Sequence, residues 1–555
     1  MRSPRSLTRN VHDQLARFAY SNPLYSVALG RKGPRDLLMV PPDPWPGDAE
    51  RGAALIAGTY RLGGQTFEAA AAAPWEPYGA APDFIEALHG FEWLRDLRAA
   101  GGDQARRAAR RLIDHWIERY DRWHPLTWQP DILGQRIASW LGAHDFFCAS
   151  ADDDFRTRVF ASLSRQLRHL TRVADGDPLD PRQIQTVRGL VYGAVALPQG
   201  RPRLDQAQRI LGKCLPRQIL PDGGHIQRNP AVHLTVLRQL IDIRAAFRAA
   251  QAHVPDALHL AIDRMAPALR LLRHGDGGFA LFNDAQEGEP VLIDAVLSQA
   301  DSKARPPKSA RHSGFERAMA GRTLLLLDVG APPPAGADDG AHAGLLSFEM
   351  SVGRERMIVN CGAWPGRGSA EDSAWHTALR GTPAHSTLSV AGRDSAEVLR
   401  DAGIGKRPHG IEVDRQETPQ SVLIDAWHDG YREALGLIHR RRLELSANGD
   451  ELRGEDILFA ETDAARGLPF AIRFHLHPAL QLSPVQGGSS VIIRLPGGDG
   501  WRLRGYGGEV ALEEGIYAGR GTDRRKTTQV VIWGEVGAEK STGVQWILRR
   551  ERRLA

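Results

Sequence analysis

The sequence predicts an α+β protein of several domains, a helical half followed by a large antiparallel β-domain. Three observations carry this. Over residues 84–272 apolar side chains recur at helical spacing; from about Gly321 onward the period falls to two; and breaks rich in Gly, Pro, Asn and Asp punctuate both halves. The 555 residues, at roughly 150 per domain, allow two to four domains.

In the helical half the apolar groups include Phe91, Trp93, Leu94 and Leu97, then Leu112, Ile113, Trp116 and Ile117, then Ile137, Trp140 and Leu141, then Leu234, Leu237, Leu240 and Ile241, with arginines and acids on the other faces. Turn chemistry falls at Gly101-Gly102, Trp128-Gln129-Pro130-Asp131, Gly176-Asp177-Pro178 and Pro221-Asp222-Gly223-Gly224. That spacing predicts about eight to ten helices. In the second half, strands are expected over residues 322–329, 345–352, 356–359, 386–390, 443–445, 471–476, 491–495, 529–533 and 544–548, with turns such as Asn448-Gly449 between them. The loop 331–341 carries Pro332-Pro333-Pro334 and Asp338-Asp339-Gly340. The organisation read from these signals is a mixed segment over 1–83, with strand-like pieces near 37–40 and 59–62, a helical domain over 84–300, a linker over 301–320 centred on 302–313, and the β-domain over 321–555. No exact internal repeat is present, although stacked helix pairs can close a toroid without one.

Composition excludes several classes. Hydrophobic residues are 42% and charged residues 25%, the balance of an ordinary globular chain rather than of disorder or coiled coil. No stretch reaches the roughly 18 apolar residues of a membrane span. The formal charge of +5, from 71 Lys+Arg against 66 Asp+Glu, lacks the concentrated basic face of a nucleic-acid binder. Cys148, Cys214 and Cys361 are too few and too scattered for a disulfide framework or a cysteine zinc cluster. The start is basic, but Asp13 and Arg17 interrupt the apolar residues between Asn10 and Tyr20. No secretory core of about 7–15 apolar residues is formed, and the cytoplasm is the default expectation.

Five constellations have side chains able to do chemistry. The first runs Pro221-Asp222-Gly223-Gly224-His225-Ile226-Gln227-Arg228-Asn229-Pro230-Ala231-Val232-His233. Its plain reading is a capped helix after a turn, with Asn229 as N-cap and Pro230 at the first helical position. Its functional reading is a polar loop in a cleft, with Arg228 clamping a carboxylate and Asn229 or His225 donating to a developing enolate. The second comprises His342, Asn360 and His385, each at the end of an expected strand; two His and an oxygen ligand make a common metal shell, and three polar strand ends are the plain alternative. The third is the turn His428-Asp429-Gly430-Tyr431. The fourth is His475 and His477 at i and i+2 of one strand, a metal pair or a wetted sheet face. The fifth, Arg549-Arg550-Glu551-Arg552-Arg553, reads as a solvated strand end. Trp75, Trp93, Trp116, Trp123, Trp128 and Trp140 read as core or as sugar-stacking platforms.

These pieces together resemble the heparinase II/III family of polysaccharide lyases over roughly residues 84–550. His342-Ala343-Gly344-Leu345-Leu346-Ser347-Phe348-Glu349 resembles the family's His-Ala-Asp-x-x-Ser-Phe strand, Val359-Asn360-Cys361-Gly362 its Val-Asp-x-Gly, and Thr382-Pro383-Ala384-His385-Ser386-Thr387 its Thr-x-x-His-Asn-Thr. His428-Asp429-Gly430-Tyr431 and His439-Arg440-Arg441 are similar to its His-Asp-Gly-Tyr and His-x-Arg pieces, and residues 222–233 to its Asp-Gly-x-x-x-Glu-x-Ser-Pro-x-Tyr-His. The resemblance implies an incomplete (α/α) toroid followed by an antiparallel β-sandwich. It implies β-elimination on a uronate-containing acidic polysaccharide such as a glycosaminoglycan, by carboxylate neutralisation, a Tyr or His base and a Tyr acid. It implies a structural zinc held by His342, His385 and Asn360, no organic cofactor, and a place in the periplasm or cell envelope.

The chain departs from the family at the reacting positions. The family's Tyr of the toroid motif falls on Val232, its His two residues before His342 falls on Gly340, and its Asp ligand falls on the neutral Asn360. The stand-ins offered by the sequence are His225 as base and Tyr431 as acid, with Arg228, Asn229 and His233 beside them. Two function classes result: a lyase with a rearranged site, or a catalytically silent glycan-binding or exopolysaccharide-processing protein on the same fold. A glycoside hydrolase using Asp222 and Asp276 ranks third.

Overall fold

The computed structural model describes residues 19–30, 33–69, 74–366, 369–400, 402–485 and 489–551. The basic start of the chain and Arg552-Arg553 lie outside them. By compactness the chain forms two units, Met1–Gln218 with Arg238–Ile262, and Ile219–Leu237 with Asp263–Ala555.

The first unit is helical. Its helices include Pro82–Gly90, Leu94–Ala100, Gly102–Tyr120, Pro130–Gly142, Asp153–Val173, Arg182–Ala196 and Arg201–Gln218. Prolines open two of them at a position where no N–H is needed, and Asp152 caps a third by accepting the Phe155 N–H at 2.7 Å. Helix Arg182–Ala196 is the centre: every residue from Gln183 to Ala196 is buried. It meets helix Pro130–Gly142 where Gly189 lies against Gly134, so close that a Cβ on Gly189 would stand 2.3 Å from the Gly134 Cα. Trp75, Trp93, Trp116, Trp128 and Trp140 are all core, and Trp123 is half-buried. Four of these five core indole nitrogens find internal acceptors, among them Trp116 on His89 Nδ1 at 3.0 Å and Trp128 on the Tyr120 carbonyl at 2.8 Å, while Trp140 Nε1 is buried with no hydrogen-bond partner among the described residues. Buried ion pairs, Arg188 with Asp242 at 2.7 Å and Arg95 with Asp43 at 2.8 Å, complete the interior. Residues 59–62 pair with 65–68 as a hairpin, β1 (Thr59–Leu62) and β2 (Gln65–Glu68). Residues 37–40, expected as a strand, form none.

The second unit holds two antiparallel sheets. One has eight strands: β9 (Ile411–Glu417), β10 (Ser421–His428), β11 (Leu437–Ser446), β12 (Glu451–Ala460), β14 (Gln481–Pro484), β15 (Ser490–Arg494), β16 (Gly500–Tyr506) and β19 (Ser541–Glu551), in the order β14-β15-β16-β19-β12-β11-β10-β9. The other has nine: β3 (Ser309–Ala310), β4 (Phe315–Ala320), β5 (Thr323–Asp328), β6 (Phe348–Val352), β7 (Glu355–Val359), β8 (Leu388–Val390), β13 (Pro469–Leu476), β17 (Glu509–Arg520) and β18 (Asp523–Glu535). Its order is β17-β18-β13-β7-β6-β5-β4-β3, with β8 also on β13. Strand β11 alternates buried and half-buried residues along all ten positions, as a strand with one face on the core must. One apolar core joins the two sheets, with Phe348, Phe474, Trp501 and Trp546 among its members.

Three features inside this unit differ from expectation. Part of the linker expected over 301–320 forms β3 and β4 of the nine-stranded sheet. The strand expected over 345–352 begins at Phe348, because Leu346 takes a left-handed conformation (φ 55°) and turns the chain first. A helix, Ala370–Arg380, interrupts the strands. Its signal is a capping box, Ser369 on the Asp372 N–H and Asp372 on the Ser369 N–H.

Candidate functional site

The toroid motif folds as its plain reading requires. Asn229 Oδ1 accepts the Ala231 and Val232 N–H groups at 2.8 and 3.2 Å and caps the helix that Pro230 opens. His225, Arg228, Asn229 and His233 do come together, around a cavity of about 10 Å³, room for one water. All four are buried. Arg228 sits in a left-handed conformation (φ 55°) and spends every N–H inside the unit. Its Nε donates to the Ser313 carbonyl at 2.6 Å, Nη1 to Gly330 and Ala331 at 3.1 and 2.9 Å, and Nη2 to Gly314 at 3.1 Å and to the Asp328 carboxylate. Five donors on five acceptors leave the guanidinium nothing for a substrate. His225 accepts the Gln227 N–H on Nδ1 at 3.2 Å, and His233 Nε2 lies 2.9 Å from the Met265 carbonyl. Burial holds the first imidazole down to about 3 and the second to about 4, so both are neutral.

Tyr431 lies in the apolar core at 1% exposure and donates its hydroxyl to the Leu388 carbonyl at 2.8 Å. Burial, with Asp394 second, lifts its phenol well above the usual range. Beside it runs a hydrogen-bond chain through the buried side chains of His428, His439 and Asp456. The Gly430 N–H donates to His428 Nδ1 at 3.0 Å, His428 Nε2 meets His439 Nδ1 at 3.3 Å, and His439 Nε2 meets Asp456 at 2.8 Å. Arg441 and Trp546 close on the same carboxylate at 2.8 and 3.0 Å. The motif is a polar spine of the sandwich. Asp222 accepts the His312 and Ser313 N–H groups, both at 2.7 Å, and Asp276 holds Arg356 at 2.7 Å, so each hydrolase candidate already has structural partners. His475 and His477 go separate ways: His475 meets Cys361 Sγ at 3.4 Å and the Pro383 carbonyl at 2.9 Å, while His477 stacks edge-on against Tyr517.

The strand-end trio does converge. His342 Nδ1 stands 3.0 Å from His385 Nε2, and His385 Nδ1 lies 2.8 Å from the Gly381 carbonyl. Asn360 uses its amide at both ends: Oδ1 accepts the Ser386 N–H at 3.0 Å and Nδ2 donates to Leu281 at 3.4 Å. These residues do not fit the zinc shell that the resemblance implies. The third side chain is a neutral amide already spent on backbone groups, and the two imidazoles are linked in a hydrogen-bond chain. Among the described residues no group of three His, Cys, Asp or Glu could hold a metal ion. The amide ties β7 to the 386 segment by hydrogen bonds, where a coordinated carboxylate would tie it through a metal.

Several residues that the sequence did not single out as site groups stand near this trio. Glu349 is wholly buried, joined to His274 at 2.8 Å, and accepts the Leu281 and Asn360 N–H groups at 2.9 and 3.0 Å. Asp284 Oδ1 lies 4.0 Å from His342 Nε2 and 4.0 Å from His376 Nε2. Asn283 and Asp284 are consecutive left-handed residues (φ 49° and 62°), a pattern that readable turn signals do not announce.

A helical unit and a two-sheet β-sandwich, with these motifs at its strand ends, define a protein of the polysaccharide-lyase fold. Residues 302–547 match the family model described as heparinase II/III-like, C-terminal. The chain is 33% identical over 541 residues to FtsZ-localized protein C of Caulobacter vibrioides, covering 94% of this chain and 92% of that protein. It therefore belongs to the heparinase II/III-like family. Among solved structures, a heparinase III superposes with a TM-score of 0.70 at 14% identity, covering 86% of this chain and 79% of its own. The chondroitin AC lyase of Streptomyces coelicolor A3 superposes at 0.54 and 13% identity, covering 96% and 80%. Likeness at that identity is of fold. It agrees with an incomplete toroid followed by an antiparallel sandwich, the architecture that the sequence resemblance implies.

Proposed function

We propose that this protein binds glycans on a lyase fold without cleaving them. The observation that carries the reading is the fate of the groups that would have to stand in for the family's reacting side chains. Tyr431 is buried with its hydroxyl committed to Leu388, Arg228 has no free N–H, and His225 lines a water-sized cavity. With Val232 and Gly340 at the family's reacting positions, neither the base nor the acid of an elimination has a side chain in reach of solvent at these places. The fold that holds a polysaccharide remains, and with it a role in recognising an acidic or mixed polymer. The relative's name supports a place of action: this chain works where FtsZ is, coupling a glycan to the division apparatus.

Two experiments test this. Affinity electrophoresis in gels containing uronate polymers or neutral glucans is expected to retard the full chain with no rise in unsaturated-uronate absorbance. A fluorescent fusion is expected to follow FtsZ. Turnover of any uronate polymer, abolished by Tyr431→Phe, would replace this reading with the rearranged lyase.

A further inference from the structure

The outer face of the nine-stranded sheet carries a guanidinium that the fold leaves without a carboxylate. Along β13, Phe470, Ile472 and Phe474 enter the apolar core, and on β18 Val530 and Ile532 do the same. The alternate residues therefore point to the other face, Ala471 and Arg473 on β13 and Val531 and Trp533 on β18. Cross-strand rows result. Ser389, Ala471, Trp533 and Glu509 form one, Arg473, Val531 and Ala511 the next, and Gln529 faces Glu513 in the row beyond. The Trp533 Nε1 donates to Glu513 Oε1 at 2.8 Å, so the indole leans along the strand and spans the row of Val531 and Ala511. It stays 37% exposed.

Half-buried Arg473 stands beside that indole, its Cζ 5.6 Å from the ring centroid. Ser389 Oγ accepts one of its N–H groups, from Nη1 at 2.6 Å. Among the described residues its side chain has no other hydrogen bond and no ion pair, whereas Arg356, Arg415 and Arg441 each close on a carboxylate. Burial holds the guanidinium below its usual pKa despite the charge of Glu513. A half-buried cation in that state gains from an anion brought alongside.

The geometry points to Arg473 and Trp533 as a subsite for one acidic sugar of a polymer, an assignment that rests on the glycan-binding reading above. The sugar carboxylate takes two parallel N–H groups of the guanidinium fork, and the apolar C–H face of the pyranose lies on the exposed part of the indole. Charge and shape select this occupant together. A neutral sugar leaves the guanidinium unpaired, and a carboxylate without a ring leaves the indole uncovered. Glu513 repels the carboxylate, which therefore enters from the side away from it. Ser389 and Glu513 already hold the two side chains, so binding has little left to order. Neither residue belongs to the motifs that carry the family resemblance.

The test is affinity electrophoresis of the full chain in gels of hyaluronate, alginate or polygalacturonate and of their carboxyl-reduced forms, read beside ¹⁵N NMR of the indole nitrogens. At least one acidic polymer should retard the protein, with Arg473→Gln, Trp533→Ala and carboxyl reduction of the polymer each weakening retardation about tenfold. In the unaltered chain the Trp533 Nε1 resonance, assigned by its loss in Trp533→Ala, should move with methyl glucuronide at concentrations where methyl glucoside and acetate leave it in place. A shift as large with acetate overturns the assignment, because an anion site that takes no sugar remains. Retardation by an acidic polymer that both variants keep, or a Trp533 resonance indifferent to methyl glucuronide while polymers still retard the chain, overturns the subsite and leaves glycan binding standing elsewhere. Retardation by no glycan at all overturns both readings.

Discussion

Arg228 shows how one side chain can be misread from sequence and what it does instead. A planar fork next to an N-cap is the right residue for a substrate carboxylate, and the sequence offers no sign that Asp328 and four backbone carbonyls, about a hundred residues on, will claim it. Removing one partner of a buried pair typically costs about 3–5 kcal/mol. Arg228→Ala should therefore lower denaturant stability by that order. Arg228→Lys should recover little of it, because a point charge cannot serve five acceptors set for a fork. Tyr431 is the milder case. Tyr431→Phe loses one buried hydrogen bond to Leu388, about 1 kcal/mol in a urea titration, and should leave glycan retardation unchanged. Loss of binding without loss of stability in that variant would return Tyr431 to the site.

At the scale of elements, the strands were legible because their period is set by burial on one face, and β11 keeps that alternation from end to end. The helix Ala370–Arg380 was not read from the sequence, because it stands alone among strands and its one local signal is the Ser369–Asp372 capping box. The left-handed pair Asn283-Asp284 was not legible, because its conformation depends on bonds from Arg228 and His342, distant in sequence. Glycines in strands divide similarly. Gly454 in β12 looks like a weak point in a strand, yet a Cβ there would fall 2.0 Å from Trp546 Cζ2 on the neighbouring β19. The glycine is the space for the indole. Gly454→Ala should cost about 1–3 kcal/mol through overpacking, read as a lowered unfolding midpoint, and Trp546→Phe in the same chain should return part of it. An unchanged midpoint would mean the indole can move aside.

For the whole molecule, the buried histidines set the response to acid. Burial holds His89 and His225 down to about 3 and His169 and His233 to about 4. All four are neutral when folded, whereas in the unfolded chain they return to about 6.5. Below that value the unfolded state binds protons that the folded state refuses, so stability rises with pH and is lost as pH falls from about 6.5 toward about 4. Each contributes a slope of about 1.4 kcal/mol per pH unit in that window. Urea midpoints should be level from about pH 7 to 8 and drop steadily from about pH 6.5 to 5, less steeply in His225→Gln. A flat profile would show these imidazoles to be protonated in the fold.

The same scale holds the central claim, that a lyase fold here binds polysaccharide and leaves it whole. Family and architecture were legible from five short motifs in order, because those motifs build the sandwich itself: His428, His439 and Arg441 are its buried spine. The departure from the family at its reacting positions was legible only as Val232 and Gly340, and the structure adds that the stand-ins are buried. The direct measurement is size-exclusion chromatography with light scattering on the full chain mixed with polymers of defined mass, both uronate-containing and neutral. The account predicts that at least one polymer co-elutes with the protein after long incubation with its mass unchanged. A fall in polymer mass with new unsaturated-uronate absorbance would contradict it.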